Sequence, residues 1–152
     1  MININEIMIQ NVITLKPDDS LQKARELMSE NNIRHIPVIN DALHIVGLIT
    51  QRDLLKASAP GIDTSKTIEI PNILVSEIMT RKIKVINQDE RLIAAGLVME
   101  KYKYGCIPVV NNKQLVGIIT ETDFVGVAIN LLEQMEQMEQ MEQNEDLDFD
   151  DL

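Results

Sequence analysis

The chain has 152 residues with one cysteine and no tryptophan; it is 45% hydrophobic, only 3% aromatic, and has a net charge of −10. The lone Cys106 excludes an intramolecular disulfide framework, and no apolar run approaches the roughly 20 residues that a membrane span needs. Nine acidic and no basic groups fall in residues 133–152, which leaves 15 acidic against 14 basic before them, so neither the basic footprint nor the aromatic platforms of a nucleic-acid binder are present.

Residues 1–10 lack the basic and long apolar regions of a signal peptide, and the single thiol suits a reducing compartment; the expected setting is cytoplasmic. Val12-Ile13-Thr14-Leu15 is β-prone. Ser20 or Asp19 is placed to cap a helix whose apolar positions Leu21, Ala24, Leu27 and Met28 recur at helical spacing, and Asn31-Asn32 ends it. Ile36-Pro37-Val38-Ile39 reads as a buried strand, Asn40-Asp41 as a turn, Leu43 to Ile49 as the returning strand, and a second helix opens after Thr50. Ser58-Ala59-Pro60-Gly61 through Pro71-Asn72 collects linker residues, but Ile68, Ile70, Ile73 and Leu74 are too apolar for free solvation, so this segment is expected to dock.

The pattern then repeats. Ile83-Lys84-Val85-Ile86 matches the first strand, Leu92, Ala95, Val98 and Met99 form the helical stripe, and Ile107-Pro108-Val109-Val110-Asn111 matches Ile36 to Asn40. Val116-Gly117-Ile118-Ile119-Thr120 matches Val46 to Thr50. The offset is 71 residues up to the Asn and 70 after it, because the second hairpin loop is one residue shorter. Two copies of about fifty residues are each too small to be comfortably stable alone, which favours a shared core. The expected fold class is α+β with an α/β-like character: two strand–helix–strand–strand–helix repeats packed as a pseudo-twofold pair. The expected boundaries are 1–58 for the first repeat, 59–75 for the linker and 76–130 for the second repeat. Residues 131–152 then form a helical Met-Glu-Gln extension, with a disordered acidic tail from Asn144.

Thr50-x-x-Asp53 and Thr120-x-x-Asp123 occupy the same place in both copies, between a Gly-containing apolar strand and a new helix. One reading is a capping box, with Thr accepting from the third residue's N–H and the acid reaching back. The other also starts from the helix N-terminus, where free N–H groups and the dipole favour phosphate. Thr would add a hydroxyl and Arg52 a charge, while Asp53 would accept from a ribose diol.

Together these elements resemble the cystathionine β-synthase (CBS) domain family, as the tandem pair called a Bateman module, in its small stand-alone bacterial form. The resemblance covers roughly residues 1–130 and rests on the paired Ile-Pro-Val-x-Asn strands, Val-Gly-x-Ile-Thr strands and Thr-x-x-Asp helix starts. It implies a regulatory module without catalysis of its own. Such a module binds AMP, ADP, ATP or S-adenosylmethionine in two pseudo-symmetric clefts, works as a homodimer and signals to an unidentified regulated protein. Neither nucleic acid nor membrane is an expected partner. The resemblance makes Asp53 and Asp123 ribose ligands and Thr50 and Thr120 phosphate contacts. Thr14 and Val85 would meet the base, and His35-Ile36-Pro37 and Cys106-Ile107-Pro108 would line the clefts. The copies differ: Arg34, His35 and Arg52 of the first become Gly105, Cys106 and Thr122 in the second. Unequal sites are expected, the stronger containing Asp53, with only Lys84, Lys101 and Lys103 offering charge near the other. Leu54-Leu55 with Phe124, Val127, Ala128 and Leu131 is the expected dimer face.

The competing readings are a ligand-free dimeric scaffold acting through its acidic C-terminal helix, and an enzyme with an undetected site. His35 and His44 lack companions at zinc-ligand spacing, and Cys106 lacks an obvious base. No Gly-rich phosphate loop and no apolar carboxylate pair is present. Tyr102 and Tyr104 suit either ordinary packing or stacking on a base.

Overall fold

The computed structural model describes residues 1–57 and 72–150, with side chains as far as residue 146; it separates into two units, Met1–Ile119 and Thr120–Leu152. In the first unit the helical stripes fold as the spacing predicts. Helix α1 (Leu21–Asn31) buries Leu21, Ala24 and Met28. The Ser20 side chain accepts from Lys23 N at 3.1 Å. Asn32, at φ 52°, closes α1 in the left-handed conformation that Asn tolerates. Strand β1 (His35–Ile39) is buried from Ile36 onward and pairs antiparallel with β2 (Ile45–Thr50), with Pro37 opposite Leu48 and a bulge between Val38 and Ile39. Helix α2 (Gln51–Ala57) follows directly.

Further along the chain come α3 (Val75–Ile78), β3 (Ile86–Asn87), α4 (Leu92–Tyr102), β4 (Cys106–Asn111) and β5 (Gln114–Thr120). Helix α4 buries Leu92, Ala95 and Met99, as α1 buries its counterparts. The second sheet has the order β3–β4–β5, with β3 parallel to β4. Its tighter hairpin turns through Asn112 and Lys113, at φ 49° and 66°.

The expected first strands shrink. In the first repeat only Leu15 pairs with β1, giving its N–H to Pro37 O at 3.0 Å and accepting from Ile39 N at 2.9 Å. The next rung of a parallel ladder would need an N–H from residue 37 to the Ile13 carbonyl, and proline has none. Pro108 has the same effect in the second repeat, where β3 begins only at Ile86. The β-prone residues 12–14 and 83–85 are therefore left outside the sheets.

The two repeats exchange their leading segments, reciprocally and bond for bond. Residues of the first lead-in bind the second repeat: Leu92 N donates to Ile2 O, Ile4 N to Glu90 O and Asn5 N to Gln88 O. Residues of the second lead-in bind the first repeat at the equivalent positions: Leu21 N to Ile73 O, Val75 N to Asp19 O and Ser76 N to Pro17 O. Ile9 pairs with Ile118 and Thr80 with Leu48 in the same way. Val75 and Met79 join the first repeat's core, with Leu15, Leu21, Ala24, Met28, Ile36, Val38, Ile49 and Leu54, and Ile4, the counterpart of Val75, is fully buried. Docking of the linker's end was expected from Ile73 and Leu74. Ile73 packs on that core while Leu74 is 41% exposed; Ile68 and Ile70 lie outside the described residues. Leu54 belongs to this core and not to an exposed dimer face; its neighbour Leu55 is the exposed one.

Glycines mark the exchange contacts. A Cβ on Gly47 would meet Met79, Sδ first and Cγ at 2.8 Å; one on Gly117 would meet Met8 Cγ at 2.9 Å and the Ile9 carbonyl oxygen at 3.0 Å. Each strand thus leaves out a side chain where the other repeat's Met lies across it.

The second unit is dominated by α5 (Glu121–Asp150). It continues through Asn144–Asp150, beyond the point where the composition suggested a disordered tail. Met, Glu, Gln and Leu are strong helix formers, and an existing helix adds residues at little cost compared with nucleating one. Val125, Ile129, Leu131 and Leu132 are each about half exposed.

Candidate functional site

The Thr-x-x-Asp pairs form at both helix starts with matching geometry. Thr50 N and Oγ1 donate to Asp53 Oδ2 at 2.8 and 3.0 Å, and Asp53 N returns to Thr50 Oγ1 at 3.3 Å. Thr120 N and Oγ1 donate to Asp123 Oδ2 at 2.7 and 3.0 Å. The capping reading therefore describes the bonding. It does not displace the ligand reading, because neither Thr bond uses Oδ1 and both Asp residues remain partly exposed. A carboxylate has about four lone-pair positions, so capping leaves acceptor capacity on each Asp. Gln51 N bonds Arg34 O at 2.9 Å, which ties the start of α2 to the residue before β1 and places Arg34 and Arg52, both exposed, on joined segments.

The described surface has an open cavity of about 200 Å³ lined by Gln10, Val12, Thr14, Ile39, Leu43, Leu115 and Val116. It is formed by both repeats. The hairpins meet through Leu115 N to Leu43 O at 3.0 Å and a His44–Gln114 bridge. Its lining includes Val12 and Thr14, from the stretch 12–14 that lies outside the sheet. At 200 Å³ the cavity is smaller than the roughly 300–1,000 Å³ of drug-sized sites.

Of the sequence-chosen residues, Thr14 lines this cavity. Val85, Thr50, Asp53, His35, Thr120 and Asp123 are half-buried, and Arg34, Arg52 and Thr122 are exposed. Ile36, Pro37, Ile107 and Pro108 are fully buried, so in this packing they shape the sheets and present no side chain to solvent. Cys106 is buried as well, which pushes its thiol up to about 12 and keeps it a neutral, unreactive group at ordinary pH. His35 lies against the second repeat's Gly105, where an added Cβ would stand 2.9 Å from Nε2; this glycine, the counterpart of Arg34, makes room for the imidazole. Tyr102 and Tyr104 stack on each other at 5.6 Å between centroids, with Lys101 Nζ 5.1 Å from the Tyr102 ring, and both rings are exposed.

Sequence reasoning missed Gln10, Val12, Leu43, Leu115 and Val116. Gln10 and Val12 alternate with Thr14 at strand period, a signal that was available; the contribution of Leu115 and Val116 depends on how the repeats meet. Among the described residues no cluster of three His, Cys, Asp or Glu side chains is placed to hold a metal, and no helix is long and apolar enough to cross a membrane.

A duplicated αβ unit with reciprocally exchanged lead-ins and paired Thr–Asp helix starts defines a two-repeat module. The CBS domain profile matches residues 4–60 and 75–130, and the chain belongs to the CBS domain family as a tandem pair. It is 35% identical over 122 residues to an uncharacterized protein of Methanocaldococcus jannaschii, covering 80% of this chain and 41% of that one. It is 32% identical to the L-aspartate semialdehyde sulfurtransferase of the same organism, covering 79% of this chain and 22% of that one. The chain therefore spans well under half the length of these curated relatives. Among solved structures, a Vibrio cholerae protein provisionally named for acetoin utilization (AcuB) superposes with TM-score 0.77 at 34% identity, covering 90% of this chain and 97% of that one. The CBS domain pair of protein MJ0100, in complex with 5′-methylthioadenosine and S-adenosyl-L-methionine, gives TM-score 0.73 at 27% identity, covering 84% and 96%. CBSX2 in complex with AMP gives 0.73 at 26%, covering 86% and 98%.

Proposed function

We propose that this chain is a regulatory sensor, not a catalyst, which binds an adenosine-containing ligand (AMP, ADP, ATP or S-adenosylmethionine) in clefts between its repeats. The observation that carries the reading is the twice-built Thr–Asp helix start, whose carboxylate meets both Thr N and Thr Oγ1 through Oδ2. The adenosyl ligands of MJ0100 and CBSX2 support the ligand class. In this reading Asp53 and Asp123 accept the ribose hydroxyls and Thr50 and Thr120 meet phosphate or its equivalent. Thr14 and Val85 face the base through backbone. The Asp53 cleft is the stronger because Arg34 and Arg52 offer positive charge there and His35 a further polar contact, whereas Gly105, Cys106 and Thr122 offer no charge. Binding biases the arrangement of the repeats, or of two copies in a homodimer, through unequal affinity for two states, and a regulated protein reads the change.

Calorimetric titration with AMP, ATP and S-adenosylmethionine tests this on the parent chain, Asp53→Asn and Asp123→Asn. Asn retains one oxygen to cap Thr50 or Thr120 but turns an NH2 group toward the ribose. The expected result is micromolar binding that Asp53→Asn abolishes with the fold intact and Asp123→Asn reduces less. Undiminished binding in both variants would remove the ribose role, and absence of heat with every ligand would remove the adenosyl reading.

A further inference from the structure

The strict three-residue repeat of α5 has a geometrical consequence apart from ligand sensing. Each step of three residues falls about 60° short of a full turn, so Met135, Met138 and Met141 do not stack into a straight seam. They lie along one oblique i±3n row, the kind that runs at about 45° to a helix axis and packs as a ridge. Glu133, Glu136, Glu139, Glu142 and Glu145 form a parallel row, and Gln134, Gln137, Gln140 and Gln143 another. Each Met has a Glu four residues after it, and Met135, Met138 and Met141 have Leu131, Gln134 and Gln137 four residues before, all within neighbour distance on a helix. The Met side chains are 58%, 64% and 68% exposed.

This surface is poorly suited to a copy of itself. From Glu121 to Asp150 there is no Lys or Arg, and the glutamates already oppose one another at i,i+3 spacing along their own row. A second α5 laid on the ridge would double that charge. A cationic helix would instead relieve it, and would give the methionines, which adapt their shape readily, an apolar row to cover.

We propose that the Met135–Met138–Met141 ridge and its glutamate row form a docking surface for a basic amphipathic helix of another protein. The methionines take the partner's apolar row and Glu136, Glu139 and Glu142 its Lys or Arg residues. The partner helix crosses at the shallow angle, about 20°, of i±3n ridges set into i±4n grooves.

Fluorescence anisotropy on the full chain provides the test. The probes are a labelled 15-residue Leu/Lys peptide that is amphipathic as a helix and a same-composition scramble with its leucines spread around the helix. The amphipathic peptide is expected to bind at least tenfold more tightly at physiological salt, where exposed charges are screened beyond about 8 Å. Changing the three methionines together to Gln preserves charge and helix propensity and should remove that tenfold preference. Changing Glu136, Glu139 and Glu142 to Gln should weaken both peptides and flatten the salt dependence. Equal binding of the two peptides, no binding, or an unchanged preference in the methionine variant would overturn the proposal. So would a drop in sedimentation mass in the methionine variant, which would make a second copy the occupant.

Discussion

Adding one methyl group at each of two pseudo-equivalent glycines tests the exchange of lead-in segments directly. In Gly47→Ala the new Cβ would fall on Met79 Sδ, 2.8 Å from Cγ and 3.2 Å from Cβ. Met79 is only 7% exposed and packs in the first repeat's core, so its tail has little room to retreat. Overpacking of this kind costs about 1–3 kcal/mol, against which the stiffer unfolded chain returns about 0.4–1 kcal/mol; the expected net loss is about 1–2 kcal/mol. In Gly117→Ala the methyl also meets the Ile9 carbonyl oxygen at 3.0 Å. That oxygen accepts from Ile118 N, and Ile9 N donates to Ile118 O, each at 3.0 Å. A backbone carbonyl held by that pair yields less than a thioether, so the expected loss is larger, about 2–3 kcal/mol. Urea unfolding of both variants gives the numbers, and a double-mutant cycle assigns them. Met79→Ala alone opens a cavity worth about 2–5 kcal/mol, and in Gly47→Ala/Met79→Ala the new methyl occupies part of it, so the pair should be more stable than the sum of singles. Additivity within about 0.5 kcal/mol, or a Gly47→Ala variant as stable as the parent, would refute the crossing of Met79 over β2.

The helix ends and the buried thiol give three further expectations. Ser20→Ala should lose about 1 kcal/mol through the missing bond to Lys23 N, a fall of roughly 2–4 °C in Tm for a chain of this size, read by calorimetry. Lys103→Gly should gain up to about 1 kcal/mol, because Lys103 holds φ 58° where a Cβ is costly; unchanged stability would argue against that conformation. The Cys106 thiol, ordinarily near 9, is raised to about 12 by burial. Its contribution to stability is complete below pH 9 and is lost as the pH rises from 9 toward 12, because the unfolded thiol ionises first. Subtracting the pH profile of Cys106→Ala isolates this loss from that of lysines. The native thiol should also resist iodoacetamide at pH 8 and react on unfolding.

Much of this fold could be read from periodicity. The stripes of Leu21, Ala24 and Met28 and of Leu92, Ala95 and Met99 specify α1 and α4, because a 3.6-residue repeat of apolar groups has only one way to face a core. The apolar runs around Pro37 and Pro108 are continuous and short, too short for a helix, and specify β1 and β4 as strands buried at consecutive positions. The Thr–Asp pairs were legible because capping is a local interaction of residues three apart. The lead-ins were not. Val12 to Leu15 and Ile83 to Ile86 have strand composition, but whether a strand forms depends on the neighbour's donors, and Pro37 and Pro108 withhold them. Nor could the tail's helix be bounded, since helix propagation across Asn144 follows from residues on both sides.

What the sequence determined by itself is the duplication, the local elements of each copy and the chemistry at each helix start, since all of these depend on residues within a few positions of one another. Tertiary structure alone decided that Ile2 to Ile9 serve the second repeat while Ile73 to Thr80 serve the first. It also decided that Thr14 shares a cavity with Leu115 and Val116, and that Gly47 and Gly117 are where methionines cross. Those pairings join residues tens of positions apart. Their selection depends on which packing of two similarly patterned repeats buries the most apolar surface without stranding a backbone donor, a comparison between whole arrangements that no local pattern encodes.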